Sequence, residues 1–235
     1  MEPPTDPVDA RFQAASDQTL LVSFGDRIAA ETHDRVRSLL ASLQDAPIAA
    51  TRNLHPAYCS LLIKFDPLRT THEAIEREVR DRIVRQDTTT AAAGRQVEIP
   101  LCYGGEFGPD LAPLAELRHL SIDDLIRTHS QAAYTVYFLG FVPGFAYLGT
   151  VPDTIAAPRL SSPRRRVEAG SVGIAGRQTG IYPCAVPGGW RLIGRTPLPL
   201  FRIDRQPMAL LAPGDEVRFR PICGDEFVRI KEADG

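Results

Sequence analysis

Apolar and polar positions along the chain fall into strand-like runs and helix-like stripes, and their order predicts the first half of the fold. Residues 19–25, TLLVSFG, have the composition of a strand closed by a glycine. Asp26 then stands where a helix N-cap is expected, and Ile28, Val36, Leu39, Leu40 and Leu43 recur at helical spacing. Residues 48–67 hold two strand-like runs broken around His55 and Pro56, which predicts an antiparallel pair. A second amphipathic helix is predicted over residues 71–85, with Ile75, Val79, Ile83 and Val84 on one side. After DTTTAAAG, read as a linker, RQVEIPLCY over residues 95–103 alternates as a strand does. The resulting order, β-α-β-β-α-β, is that of a ferredoxin-like sandwich with two helices on one face of a four-stranded antiparallel sheet. Residues 11–101 are assigned to it, and the proline-rich, acidic residues 1–10 are expected to form a disordered tail.

Residues 102–131 read as a connecting helical segment with short helices at 110–117 and 121–131. Ser121 is the expected N-cap of the second, with Asp123 and Asp124 in its first turn. From residue 132 to 235 short β-rich runs alternate with glycine and proline, the pattern of a barrel or a sandwich. An α+β chain results, in which an α/β domain precedes an all-β domain.

Composition narrows the function classes. The formal net charge of −2 over 235 residues offers no general attraction to nucleic acid or anionic lipid. No apolar run approaches the roughly 20 residues that span a bilayer, and the N-terminus lacks a basic and apolar leader, so a cytoplasmic location is expected. Cys59, Cys102, Cys184 and Cys223 form no CxxC pair and are read as buried free thiols. The five histidines show no metal-ligand spacing, so no metal is expected.

Residues 134–200 stack glycine and proline turns among aromatics, which specifies shaped loops around a cavity. GSVGIAG at 170–176 lacks the ending of a P-loop and does not fit GxGxxG; its amides are at most an anion-binding nest. Neither a nucleophile elbow nor an HExxH pair is present. His129 ends the second short helix, where a backbone carbonyl or Asp124 could fix its tautomer, in a structural or a catalytic role. Gln178, Thr179 and Tyr182 suit recognition of an amide or carboxylate, or else form a buried polar ladder. Arg195, after Trp190, suggests a guanidinium beside an aromatic wall that could receive an anion. Phe141 in the aromatic turn and Ser171 in the glycine loop complete the set of candidate substrate contacts. Arg164, Arg165 and Arg166 read as a solvated basic loop from which one side chain could enter the cavity.

YGGEFGPDL (103–111), HS followed by YTVYFLGFVPGFAYLG (129–149), PRLSSPR (158–164), AGSVGIAGRQTGIYP (169–183), PGGWRLIGRTPLPLF (187–201) and LLAPGDEVRF (210–219) together resemble one family. It is variously called allophanate hydrolase subunit 1, the carboxyltransferase C and D subdomain, the Kip kinase-inhibitor protein, or the 5-oxoprolinase B subunit. The resemblance, from about Arg11 to Pro221, implies a ferredoxin-like domain followed by a cyclophilin-like β-barrel. It also implies three possible functions. One is the B subunit of an ATP-dependent 5-oxoprolinase, working with a homologous C subunit and a LamB/YcsF-type A subunit to open 5-oxo-L-proline to glutamate. Another is the carboxyltransferase part of a urea carboxylase, and the third is inhibition of a histidine kinase. The first is favoured for a chain without fused biotin domains, with ATP used by the complex as a whole. On that reading His129 donates or orients a proton, Gln178 and Thr179 hold the lactam or carboxylate, and Arg195 offsets negative charge. Glu168 stands where many relatives have proline, which leaves the entry to the GSVGIAG loop open.

Overall fold

The computed structural model describes residues 9–85 and 94–233. Residues 1–8 of the expected tail and residues 87–93 of the expected linker therefore lie outside the described residues. The chain divides into two compact units, Met1–Ala92 and Ala93–Gly235.

The first unit runs β1 (Arg11–Ser16), β2 (Thr19–Ser23), α1 (Ala30–Asp45), β3 (Thr51–Pro56), β4 (Ser60–Phe65) and α2 (His72–Arg85). Its sheet has the order β1-β2-β4-β3, antiparallel throughout. Alternate residues Leu20 and Val22 of β2, and Leu61, Ile63 and Phe65 of β4, point to one face. There they bury Val36, Leu39 and Leu43 of α1 with Ile75 and Val79 of α2. The predicted β-α-β-β-α-β order is not what forms. The edge place beside β2 is taken by β1, and the strand expected to end this domain joins the second unit instead. The expected boundary at residue 101 thus falls inside that strand. Pairing, not strand propensity, decides the outcome: residues 96–103 are a strand as read, but their hydrogen-bonding partners lie more than ninety residues further on. Helix α1 also begins later than Asp26 suggests, at Ala30, and its N-cap Ala29 makes no side-chain cap bond.

The second unit opens with that strand, β5 (Gln96–Tyr103), then α3 (Leu111–Leu117) and α4 (Ile122–Gln131). Strands β6 (Ala133–Leu139), β7 (Ala146–Gly149), β8 (Arg164–Val167), β9 (Ser171–Ala175), β10 (Gln178–Ile181), β11 (Val186–Gly188), β12 (Arg191–Arg195) and β13 (Glu216–Ile222) follow, and α5 (Gly224–Ala233) ends it. Seven strands close into a barrel in the order β10-β7-β6-β13-β5-β12-β9, while β8 and β11 pair separately. Closure joins β5 to β13 in parallel, from Gln96 opposite Glu216 to Cys102 opposite Ile222. Ile99, Leu101, Val136, Leu148, Val172, Ile174, Ile181 and Val217 fill the interior, and Leu111, Leu114 and Leu125 of the two helices join the same core. Ser121 caps α4 as expected, its hydroxyl accepting the Asp124 amide at 3.0 Å.

Two buried carboxylates fasten the barrel. Asp215 accepts Nε of Arg95 at 3.1 Å and the Ala212 amide at 2.9 Å. Asp110 accepts Nη2 of Arg164 and the Leu192 amide, each at 2.7 Å. The basic run 164–166, expected in a loop, is therefore a strand with its first arginine in an ion pair. The thiols are free, but only Cys102 is buried; Cys59 is half-buried, and Cys184 and Cys223 are exposed, because they sit at chain turns rather than on a core face.

Candidate functional site

On the outer face of the barrel wall, β7, β10 and the segment around β11 build an aromatic cleft. Strand alternation does the sorting: Ala146 and Leu148 enter the core, so Tyr147 faces out, and Ile181 enters the core while Gly180 and Tyr182 face the cleft side. Phe145 stands edge-on to Tyr182 (5.1 Å, 81°) and to Trp190 (5.6 Å, 89°), geometry that aromatic quadrupoles favour. The cleft has a volume of about 240 Å³ and is also lined by Phe141, Arg159, Pro163, Pro187, Gly188 and Gly189. Phe141 is held out at φ 65° and is exposed. Gly188 is obligatory, since a Cβ there would meet the Tyr182 hydroxyl at 2.5 Å.

The cleft's charge is positive. Burial pushes the Tyr182 phenol up, and its hydrogen bond with the Trp190 backbone, followed by the nearby charges of Arg159 and Arg164, opposes that push. Arg164 is neutralised by Asp110, whereas Arg159 lies exposed over Trp190, 5.9 Å from the ring centroid, without an ion pair among the described residues. A flat apolar wall with one available guanidinium suits a small molecule carrying a carboxylate.

Of the residues singled out in the sequence, Phe141, Tyr182 and Trp190 meet in this cleft. Gln178 and Thr179 cannot share a ligand there, because neighbours in a strand point to opposite sides. Thr179 faces the barrel interior, where its hydroxyl donates to the Gly173 carbonyl at 3.0 Å. His129 is also interior, fully buried and stacked on Phe219 at 4.7 Å. Its Nδ1 lies 2.7 Å from the Tyr103 hydroxyl and its Nε2 3.4 Å from the Thr179 hydroxyl. Since that hydroxyl's proton goes to Gly173, Nε2–H must donate to Thr179 and Tyr103 donates to Nδ1. Tyr103 and Thr179, not Asp124 or a backbone carbonyl, thus fix the tautomer. Burial pushes the His129 pKa down to about 3, so it is neutral and has no contact with the cleft. A proton-donating role at a substrate in this cleft is excluded by that position.

Arg195 ends β12, four strand steps of about 3.3 Å from Arg191 and away from the cleft. Its guanidinium stands 5.7 Å from the Phe107 ring, and its buried Nε has no hydrogen-bond partner among the described residues. The buried Ser171 hydroxyl, directly across in β9, has none either. The backbone nest that the sequence of GSVGIAG permits is not formed at its first two amides, because the Gly170 amide donates to the Tyr182 carbonyl and the Ser171 amide to the Glu168 carbonyl. Glu168 enters that turn through its carbonyl, and Gly170 takes φ 81° against Thr196. With those amides engaged, the loop does not fit the phosphates of a nucleotide. Among the described residues, no cluster of three or more His, Cys, Asp or Glu side chains is placed to hold a metal ion. No described helix is long and apolar enough to cross a membrane.

Phe145, Tyr147 and Arg159 escaped the sequence reading. The two aromatics carried a signal, the period-two spacing of FAY. Arg159 carried none, since its position follows from how the 158–163 segment crosses Trp190.

Comparison with known proteins gives a consistent setting. The 5-oxoprolinase B subunit of Bacillus subtilis (strain 168) is 40% identical over 232 residues, 94% of this chain and 97% of that one. The crystal structure of TTHA0988 superposes with a TM-score of 0.78 at 35% identity, covering 88% of this chain and 40% of that one. This chain thus spans two fifths of that longer protein. The K. lactis urea amidolyase superposes at 0.79 but with 19% identity, over 96% of this chain and 15% of that one, a likeness of fold. Residues 10–211 match the family described as carboxyltransferase domain, subdomain C and D, and the chain belongs to that family.

Proposed function

We propose that this chain is the B subunit of an ATP-dependent 5-oxoprolinase, acting in the cytosol with partner subunits to convert 5-oxo-L-proline to L-glutamate. The observation that carries the reading is the nearly end-to-end match to the Bacillus subtilis B subunit. The cleft supports it in chemical terms: a five-membered lactam is flat enough to lie against Trp190 and Tyr182, with its carboxylate toward Arg159. The barrel, of the cyclophilin-like kind on the family resemblance, holds those aromatics on paired strands and so presents a rigid surface. ATP is the energy source for breaking the resonance-stabilised amide, and no residue of this chain is assigned to it. We place its binding, and the groups that attack the activated lactam, on the partner subunits, a homologous C subunit and a LamB/YcsF-type A subunit. This chain binds the substrate, orients the ring and offsets the carboxylate charge.

The test is 5-oxoproline-dependent ATP hydrolysis by the reconstituted set, with and without this chain. Turnover that requires the chain supports the reading, and turnover independent of it refutes the reading. Co-purification from the native host gives a second answer. Recovery of a C-subunit homologue fits, whereas recovery of a histidine kinase alone points to the inhibitor function.

A further inference from the structure

We propose a second ligand site on the barrel's outer wall, at Arg195 and Ser171, that takes a small oxyanion, a carboxylate or a phosphoryl group. The two residues are directly opposed across the antiparallel β9–β12 pair, and opposed side chains share a face within about 5 Å at Cβ. Val172 and Ile174 enter the core, so Ser171 and with it Arg195 face outward. Ser171 is completely buried, yet its hydroxyl has no partner. Nε of Arg195 is buried and also lacks one. Two orphaned donors on adjacent strands, aimed to the same side, are the complement of an oxygen ligand that accepts from both.

The charge balance fits the same ligand. Arg195 makes no hydrogen bond or ion pair among the described residues; its guanidinium rests over the face of Phe107. Glu168, in the adjoining turn, is committed to Arg166, accepting Nε at 2.7 Å and Nη2 at 3.4 Å. Arg166 first, and Arg195 more weakly, hold the Glu168 carboxyl below its usual range, so Arg195 has an acidic neighbour but, among the described residues, no counter-charge in contact with it. Its Nε edge matches the two oxygens of a carboxylate or phosphoryl group, with the Ser171 hydroxyl as a third donor. Gly170 makes room for the arrangement, since a Cβ there would meet Cγ of Arg195 at 3.3 Å and the Thr196 carbonyl at 2.3 Å. None of these residues lines the aromatic cleft, so the site is separate from the proposed substrate position and does not depend on the 5-oxoprolinase reading.

The experiment is titration of the full chain, without partners or substrate, with inorganic phosphate and separately with acetate at constant ionic strength. Binding is followed by NMR through the Arg195 side-chain N–H resonance in the wild type and through the backbone amides of Gly170 and Ser171 in the wild type and every variant. Saturable displacement of these resonances is expected. Arg195→Gln should weaken binding at least about tenfold. Arg195→Lys keeps the charge, loses the fork and should also weaken it, and Ser171→Ala should weaken it about threefold. Arg159→Gln, in the cleft, should leave it unchanged. Phosphate binding without acetate binding identifies a phosphoryl ligand, and the reverse identifies a carboxylate. An Arg195 resonance that shifts with neither anion overturns the proposal, as does full-affinity binding in Arg195→Lys or Arg195→Gln. If Arg195→Gln fails to fold, the wild-type resonance and Ser171→Ala still decide.

Discussion

The inner and outer faces of one barrel wall treat their polar residues in opposite ways. Inside, Tyr103, His129, Thr179 and the Gly173 carbonyl form a chain in which each donor meets an acceptor. Outside, on the same wall, Ser171 and Arg195 hold buried atoms with no partner among the described residues, and Arg159 stands over Trp190 without an ion pair among them. Strands β9 and β10 contribute to both sides, so the difference arises from alternation alone. A polar group whose bonds are complete within the fold serves the architecture. One left incomplete marks where something else is to be bound.

His129→Ala tests that division most severely. It opens a cavity beside Phe219 and strips Tyr103 and Thr179 of a partner, so a loss of about 3–5 kcal/mol is expected in urea unfolding. A variant of near wild-type stability would mean that the interior chain is dispensable. Acid should act on the barrel interior through His129 and on the first unit through His33. His129 and His33 have folded pKa values of about 3 and about 4, below the unfolded value near 6.5, both chiefly through burial. The unfolded chain therefore binds more protons in this window, and stability is expected to fall as pH drops from about 6.5 to 5. The slope is at most about 1.4 kcal/mol per pH unit for each histidine. His129→Phe should reduce the slope in a pH series of denaturation midpoints; an unchanged slope would place the proton uptake elsewhere.

Gly188→Ala is expected to cost about 1–3 kcal/mol by pressing on the Tyr182 hydroxyl, and to distort the cleft as well. Arg159→Gln should leave the unfolding midpoint unchanged while raising KM for 5-oxoproline about tenfold in the reconstituted enzyme. The smallest effect belongs to Ser171→Ala. With no bond to lose in the free protein, it should be neutral or stabilising by a few tenths of a kcal/mol in thermal unfolding. A loss above about 1 kcal/mol would show that the hydroxyl is satisfied within the fold and would erase the contrast.

What the sequence disclosed followed periodicity, and what it hid followed pairing. Val36, Leu39 and Leu43 mark α1, Ile75 and Val79 mark α2, and Ser121 marks the start of α4, because these signals are local. Strand β1 gave little sign of itself, since RFQAAS is an exposed edge with one sizeable apolar residue. Helix α5 rests on Phe227 as its buried contact and was not foreseen. Phe141, Tyr182 and Trp190, which the density of turns around aromatics singles out, line one cleft. Gln178 and Thr179 are adjacent polar residues that look like a cluster in the sequence, but the pleat sends them to opposite sides, with Thr179 buried. For His129 the sequence leaves a structural and a catalytic role open, because burial is a long-range property that a helix-terminal position does not reveal.

The parallel pairing of β5 with β13 also has a bearing on biosynthesis. Both barrel neighbours of β5, β12 and β13, are encoded far downstream, beginning at Arg191 and Glu216. At about 5–20 residues per second, a ribosome leaves Gln96–Tyr103 without either neighbour for roughly 5–20 s. During that interval its apolar Ile99 and Leu101 and its open edges are available to chaperones, or to another nascent chain.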